Sequence, residues 1–123
     1  MVMLPAASRD RGRKGETVFE GWLRRSRLGY MIVDQTPLSV PSAPKYIKRP
    51  DFLVGMVGTM VAVDVKARAF VDGCGIIELD EHDGFVRFQR CFGTQVWYAW
   101  YPDKEHGRCL LFRSSEIHDG HVR

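Results

Sequence analysis

Residues 49–68 have the sequence RPDFLVGMVGTMVAVDVKAR, and the rest of the chain is arranged around them. Two apolar runs are separated by a short segment with two glycines, which predicts two strands joined by a turn. Alternate side chains of a strand share one face, so Asp64 and Lys66 lie together on a face whose reverse side carries valines. Because Asp51 begins the neighbouring strand, its carboxylate is expected to lie close to that of Asp64.

Two carboxylates and a lysine in one small volume have the chemistry of a magnesium site. Mg²⁺ takes oxygen ligands at about 2.1 Å and keeps several waters. Asp51, Asp64 and the backbone carbonyl of Val65 are the candidate ligands, with positions left for water and a phosphate oxygen. Lys66 would orient the attacking water and stabilise developing negative charge. An aspartate two residues before a lysine is common by chance, and most such pairs are surface charges on an edge strand. The Pro-Asp one short hairpin upstream nevertheless favours the catalytic interpretation.

These residues carry a resemblance to a known family. Pro50-Asp51 followed by Asp64-Val65-Lys66 resembles the signature of the PD-(D/E)xK nuclease superfamily, which has the restriction-endonuclease-like fold. The archaeal Holliday junction resolvases are most similar in layout, with a basic stretch, Lys-Gly and a helical glutamate before the motifs. A short helix, a glycine and a final hairpin follow the lysine.

The resemblance implies an α/β fold, with a mixed central sheet of four to five strands flanked by α-helices. It implies an endonuclease that hydrolyses DNA phosphodiesters with Mg²⁺, for which Mn²⁺ would substitute. The DNA would be branched or duplex. It also implies a homodimer, because two strands must be cut at matched positions.

A helical glutamate completes the acidic cluster in this superfamily, and two residues are candidates for it. Residues 15–27 predict a helix from an apolar stripe, with Gly29 as its C-cap. Glu16 has the resolvase-like spacing to the apolar residues that follow it, whereas Glu20 has the more family-like distance to Gly29. Glu16 is slightly favoured, and both remain candidates.

Basic residues flank the predicted site in the sequence. Residues 1–13 are predicted to form a flexible basic arm, and residues 14–123 a single nuclease-like domain. The basic side chains would contact phosphates, which requires charge but little structure. The alternative interpretations are a solvated tail and simple charge balance beside carboxylates. The candidates for nucleic-acid binding are Arg9, Arg11, Arg13, Lys14, Lys45, Lys48, Arg49 and Arg68.

A second helix is predicted over residues 80–92, with Asp80 as N-cap and Gly93 at its end. A glutamine near the start of this helix lies beside the site in the resolvases, and His82 or Gln89 is the candidate for that place. The remaining strands are predicted at 30–33, 95–101 and 108–113, with an irregular strand around 38–40. Aromatic side chains of the strand at 95–101 are expected to pack mainly in the core.

Composition limits the alternatives. At 123 residues with 45% hydrophobic side chains, the chain is expected to form one domain. The net charge of +3 permits a polyanionic partner without requiring one. Three dispersed cysteines show no zinc-binding pattern, and no apolar run resembles a signal peptide or membrane span, which favours a cytoplasmic protein. Two other functions remain open: a nucleic-acid-binding module with an inactive nuclease site, and a protein–protein interaction domain.

Overall fold

The computed structural model describes residues 6–35 and 47–117. These residues form a mixed five-stranded sheet with one α-helix on each face, followed by a 3₁₀ turn at Ser114–Glu116. The helices are α1 (Ala6–Arg25) and α2 (Leu79–Phe92). The strands are β1 (Tyr30–Ile32), β2 (Phe52–Met56), β3 (Thr59–Lys66), β4 (Val96–Trp100) and β5 (Leu110–Arg113).

The sheet order follows the sequence, β1-β2-β3-β4-β5. Strands β3 and β4 are parallel because α2 connects them as a crossover helix, and the other neighbours are antiparallel. The hairpin between β2 and β3 turns at Val57 and Gly58, which both have positive φ. The predicted mixed α/β sheet of four to five strands with flanking helices is confirmed.

Each face of the sheet carries its own apolar cluster. On one face, Val63 and Val65 of β3 pack with Phe19 and Leu23 of α1. On the other face, Ala62 packs with α2 residues, among them Phe85. The alternation predicted for β3 is therefore present, and it assigns Asp64 and Lys66 to the α2 side of the sheet.

The first helix begins earlier than predicted. Residues 6–13 belong to α1, so the prediction of a flexible arm is wrong over this range. Two tertiary contacts hold its start: the Arg11 guanidinium donates to the Pro102 carbonyl at 2.8 Å, and the His106 ring lies 3.2 Å from the Arg11 carbonyl. Gly15 is buried, and a Cβ there would lie 3.1 Å from that of Ala67, so this glycine permits close packing of α1 on the segment after β3.

Two predicted helix caps are wrong and one is correct. After α1, Arg27 takes the left-handed conformation at φ 57°, and Leu28 donates to the Leu23 carbonyl, so the helix ends before Gly29. The N-cap of α2 is Glu78 rather than Asp80, which lies inside the helix. Gly93 ends α2 in the left-handed conformation, as predicted.

Strand β4 supplies much of the core. Tyr98, Trp100 and Tyr101 are buried, which confirms that these aromatic side chains mainly pack inside the protein. The predicted irregular strand at 38–40 lies outside the described residues. Within residues 6–35 and 47–117, no helix is long and apolar enough to cross a membrane.

Candidate active site

The end of β3 beside β2 positions the first aspartate. Pro50 precedes Asp51 and has no N–H to donate, so the regular ladder between the two strands stops there. The Pro50 carbonyl accepts from the Gln35 side-chain amide at 3.0 Å, and the Val65 N–H donates instead to the Asp51 carboxylate at 2.8 Å. The N–H and C=O of one strand residue point to the same neighbour, so the Val65 carbonyl also points to this side.

The second aspartate lies next to the first. Asp64 is 3% exposed, and its carboxyl group lies close enough to Asp51 to affect the pKa of that residue. Its Oδ2 lies 2.8 Å from the Lys66 ammonium, which is also buried. Asp51, Asp64 and Lys66 are therefore brought together at the end of the β2–β3 pair.

Burial controls the protonation of both carboxyl groups. It raises the pKa of Asp64 to about 8, although the Lys66 charge acts in the opposite direction. Burial also raises the pKa of Asp51 to about 6, against the hydrogen bond from Val65 and with a further upward contribution from the Glu16 charge. Burial alone would lower the pKa of Lys66, but the charges of Asp64 and Glu81 raise it overall. Burial therefore disfavours the charged form of both carboxyl groups in the metal-free protein.

The structure places one further acid in the site, and the sequence did not indicate it. Glu81, in the first turn of α2, contacts the Lys66 ammonium through Oε1, and its side chain is 12% exposed. The other oxygen of Glu81 lies 3.9 Å from the Arg68 guanidinium. Nothing in the spacing of these residues predicts the contact, because it depends on how α2 packs across the sheet.

The two candidate glutamates of α1 have different surroundings. The Glu16 charge acts on Asp51, as its effect on the pKa of that carboxyl shows. Glu20 accepts a hydrogen bond from the Tyr30 hydroxyl at 2.6 Å and pairs with Arg24 at 3.3 Å. Glu20 therefore joins α1 to β1, whereas Glu16 lies near enough to Asp51 for its charge to raise the pKa of that carboxyl.

The residues present suit a hard divalent cation such as Mg²⁺. The donors are carboxylate oxygens together with the carbonyl of Val65, and a bound cation would offset the burial that raises the pKa values of Asp51 and Asp64. Asp64 Oδ2 is buried and accepts no hydrogen bond of good geometry from the described residues, although the Lys66 ammonium lies beside it. Within the described ranges no three His, Cys, Asp or Glu side chains form a ready metal cluster. A third protein ligand would thus come from the Val65 carbonyl or from a neighbouring glutamate side chain that moves inward.

The two candidates for the glutamine position lie in different places. Gln89 accepts from the Val96 N–H at 2.7 Å and from the Ser114 hydroxyl at 2.8 Å, so it joins α2 to the start of β4 and the 3₁₀ turn. His82 follows Glu81 directly, and its Nδ1 is buried without a hydrogen-bond partner among the described residues. Neither side chain contacts Lys66 among the described interactions, whereas Glu81 does.

The candidate basic residues differ in exposure and in the protein groups that hold them. Arg13 and Lys14 are exposed on α1, and Lys48 is exposed before β2. Arg11 is held by Pro102, and Arg49 donates to the carbonyls of residues 34 and 35. Arg68 lies beside Glu81. Arg9 belongs to α1, and Lys45 lies outside the described residues.

Comparison with solved structures gives a clear relationship in fold. The Holliday junction resolvase Hjc of Archaeoglobus fulgidus superposes with a TM-score of 0.65. The chain has the fold of Hjc. The alignment covers 89% of this chain and 84% of Hjc, with 21% sequence identity. No family model matches the sequence, and no curated protein sequence matches it either.

Proposed function

We propose that this protein is a metal-dependent endonuclease of the PD-(D/E)xK superfamily that hydrolyses DNA phosphodiesters. The observation that carries the proposal is the convergence of Asp51, Asp64 and Lys66 at one end of the β2–β3 pair. It is supported by the fold shared with Hjc, which is a Holliday junction resolvase. A branched DNA is accordingly the first substrate to test.

Each residue has a separate task in this mechanism. Asp51 and Asp64 would hold Mg²⁺ or Mn²⁺ together with the Val65 carbonyl, and Glu16 would complete the acidic set directly or through water. The metal ion, when bound, supplies charge stabilisation at the phosphoryl group and an acidified water. Lys66 presents its ammonium to the same volume, where it orients a water and stabilises negative charge on the phosphate. Burial of the site strengthens these interactions because little solvent screens them.

DNA binding and dimerisation belong to the same proposal. Exposed cations on α1 and before β2 would contact phosphates on either side of the acidic site. A homodimer would provide two such sites, one for each of the two DNA strands that must be cut at matched positions. Both edge strands carry exposed apolar side chains that a second copy could cover, among them Met31 and Ile32 of β1 and Leu110 and Leu111 of β5.

The decisive experiment is cleavage of four-way, flapped and linear DNA with Mg²⁺ or Mn²⁺. We expect metal-dependent cleavage of a branched substrate by the wild type. Asp64→Asn and Lys66→Ala should abolish cleavage and leave DNA binding largely intact, because the exposed cations remain. Salt-dependent binding without cleavage by the wild type would instead favour a binding module with an inactive site. Failure to bind DNA at all would favour an interaction domain.

The two glutamates of α1 provide a matched pair within this experiment. Glu16→Gln should reduce cleavage strongly, because its charge acts on Asp51. Glu20→Gln removes the same charge but disturbs only the contact with Tyr30 and Arg24, so cleavage should be nearly unchanged. Greater loss in Glu20→Gln would exclude Glu16 as the helical acid of the site.

A further inference from the structure

The Lys66 ammonium is held between two structural layers. Its side chain is 9% exposed, so the orientation of its three N–H groups is set by protein partners rather than by bulk water. Asp64 comes from the same strand, two residues earlier, whereas Glu81 comes from α2 on the outside of the sheet. The two acids therefore fix the ammonium from two directions.

Asp64 alone is a poor anchor for a nuclease lysine. The same carboxylate is a proposed metal ligand, and a bound cation would draw its electron density away from the ammonium. Lys66 would then lose much of its attraction to Asp64 at the stage when its position matters most. Glu81 does not compete for that role in the present geometry, since its described ion pairs are with Lys66 and Arg68.

Glu81 is itself firmly placed. It lies in the first turn of α2, where the positive end of the helix dipole favours a carboxylate. One turn later, Phe85 is completely buried and packs edge-on against Tyr98 with ring centroids 5.7 Å apart. Arg68 lies beside the second carboxylate oxygen at 3.9 Å. A carboxylate fixed in this way can impose its position on a flexible lysine side chain.

We propose that Glu81 is a positioning residue for Lys66. It keeps the ammonium at the aspartate pair and leaves the third N–H free to be directed at a water or a phosphate oxygen. The proposal rests on the proposed nuclease function, but the Lys66 contact can be measured without DNA, metal or catalysis. It assigns to α2 a direct part in the site, beyond covering the sheet.

Three variants test the proposal: Glu81→Ala removes the anchor, Glu81→Gln keeps an oxygen acceptor, and Asp80→Ala is the control. Asp80 is the preceding residue, is exposed, and carries the same charge. In metal-free protein without DNA, chemical acetylation of Lys66, followed by mass spectrometry, should accelerate at least several-fold in Glu81→Ala. Acetylation should change little in Glu81→Gln and in Asp80→Ala. Thermal unfolding of all three variants shows whether any effect reflects loss of folding.

Single-turnover cleavage then separates positioning from binding. Glu81→Ala should lower the cleavage rate by about 10- to 100-fold, the loss expected for a misplaced catalytic group, while DNA affinity stays within about twofold. Glu81→Gln should recover most of the rate. Unchanged acetylation of Lys66 in Glu81→Ala would overturn the proposal. So would a loss of Mg²⁺ affinity by calorimetry as large as that of Asp64→Asn, because Glu81 would then be a ligand. If the wild type cuts no DNA, the nuclease function fails, and the acetylation result still decides whether Glu81 fixes Lys66.

Discussion

At the scale of single residues, the two aspartates of the candidate site lower the folding stability of the metal-free protein once the pH is high enough to ionise them. Asp64 is buried and the neighbouring Asp51 is partly buried, and both have raised pKa values. A carboxyl whose pKa is higher in the folded state binds its proton more tightly there than in the unfolded chain. Its contribution to stability is complete below an ordinary pKa near 4 and is lost as the pH rises through the folded-state value.

This direction of the pH dependence of stability gives a prediction for Asp51→Asn. Between pH 4 and pH 6 the wild-type carboxyl ionises in the unfolded chain but stays largely protonated in the folded protein, so the folding stability falls by an amount on the order of 1–3 kcal/mol. The asparagine stays neutral, and its amide oxygen can still accept from Val65. We therefore expect metal-free Asp51→Asn to be more stable than the wild type at pH 8, and this advantage to disappear near pH 4. Denaturant unfolding at both pH values measures it.

Two comparisons complete the test of Asp51→Asn. Asp80→Asn makes the same change in net charge at an exposed position outside the site, and its stability should not depend on pH in this way. Added Mg²⁺ should stabilise the wild type at pH 8 and not the Asp51→Asn variant, because a ligand that binds the folded state shifts the unfolding equilibrium. Equal stability of wild type and Asp51→Asn at both pH values would contradict the raised pKa of the Asp51 carboxyl.

At the scale of elements, the sequence was informative where periodicity is strong. The two-residue alternation of β3 assigned Asp64 and Lys66 to one face, and the spacing of Phe85, Phe88 and Phe92 located α2. The start of α1 was missed, since the segment RGRKG has two glycines and little apolar periodicity. Its helical structure is supported by contacts with Pro102 and His106, which are distant in the sequence.

For the candidate site too, the sequence predicted the residues placed by local periodicity and missed the one placed by packing between elements. Asp51, Asp64 and Lys66 lie on one hairpin, where strand alternation and a short connection suffice to bring them together. Glu81 was not identified, because its contact with Lys66 requires α2 to lie across the sheet at one particular offset. Periodicity places a residue on a face of its own element, but it carries no information on which residue of another element lies opposite.

Two glycines of α1 allow a test of how closely this helix packs on the sheet. Gly15 is buried, and a Cβ there would lie 3.1 Å from the Ala67 Cβ and 3.5 Å from a Val65 methyl group. Gly12 has nothing within 4 Å of the same position. Gly15→Val should therefore destabilise the protein by about 1–3 kcal/mol through overpacking, and it should reduce cleavage by displacing Glu16.

The control for this prediction lies one turn earlier on the same helix. Gly12→Val makes the identical change in open space, and there valine replaces a residue of lower helix propensity. Its stability should equal or slightly exceed that of the wild type. Thermal unfolding and cleavage assays of the two variants measure the difference. Similar stability of Gly12→Val and Gly15→Val would show that α1 does not need its close approach to the sheet.

At the scale of the whole molecule, two exposed cations, Lys14 on α1 and Arg90 on α2, lie at different places relative to the candidate site. Lys14 is exposed on α1, two residues before Glu16, whose charge acts on Asp51. Arg90 is exposed near the far end of α2, nine residues after Glu81 and so roughly 13 Å along the helix axis from the site. Phosphates of a bound DNA are expected beside the first cation and away from the second.

Lys14→Gln and Arg90→Gln therefore separate local phosphate contact from net charge, since each removes one positive charge. Each phosphate contact contributes about 0.9 to the slope of log affinity against log salt, because binding releases condensed counterions. Lys14→Gln should flatten this slope by about 0.9 on duplex DNA, with cleavage at saturating DNA unchanged. Arg90→Gln should leave the slope as it is.

Point variants suit this test better than deletion of residues 1–11, which would also remove the contacts of Arg11 with Pro102 and His106. Equal slopes for the wild type and Lys14→Gln would remove α1 from the DNA path and make Lys48, exposed just before β2, the next residue to test.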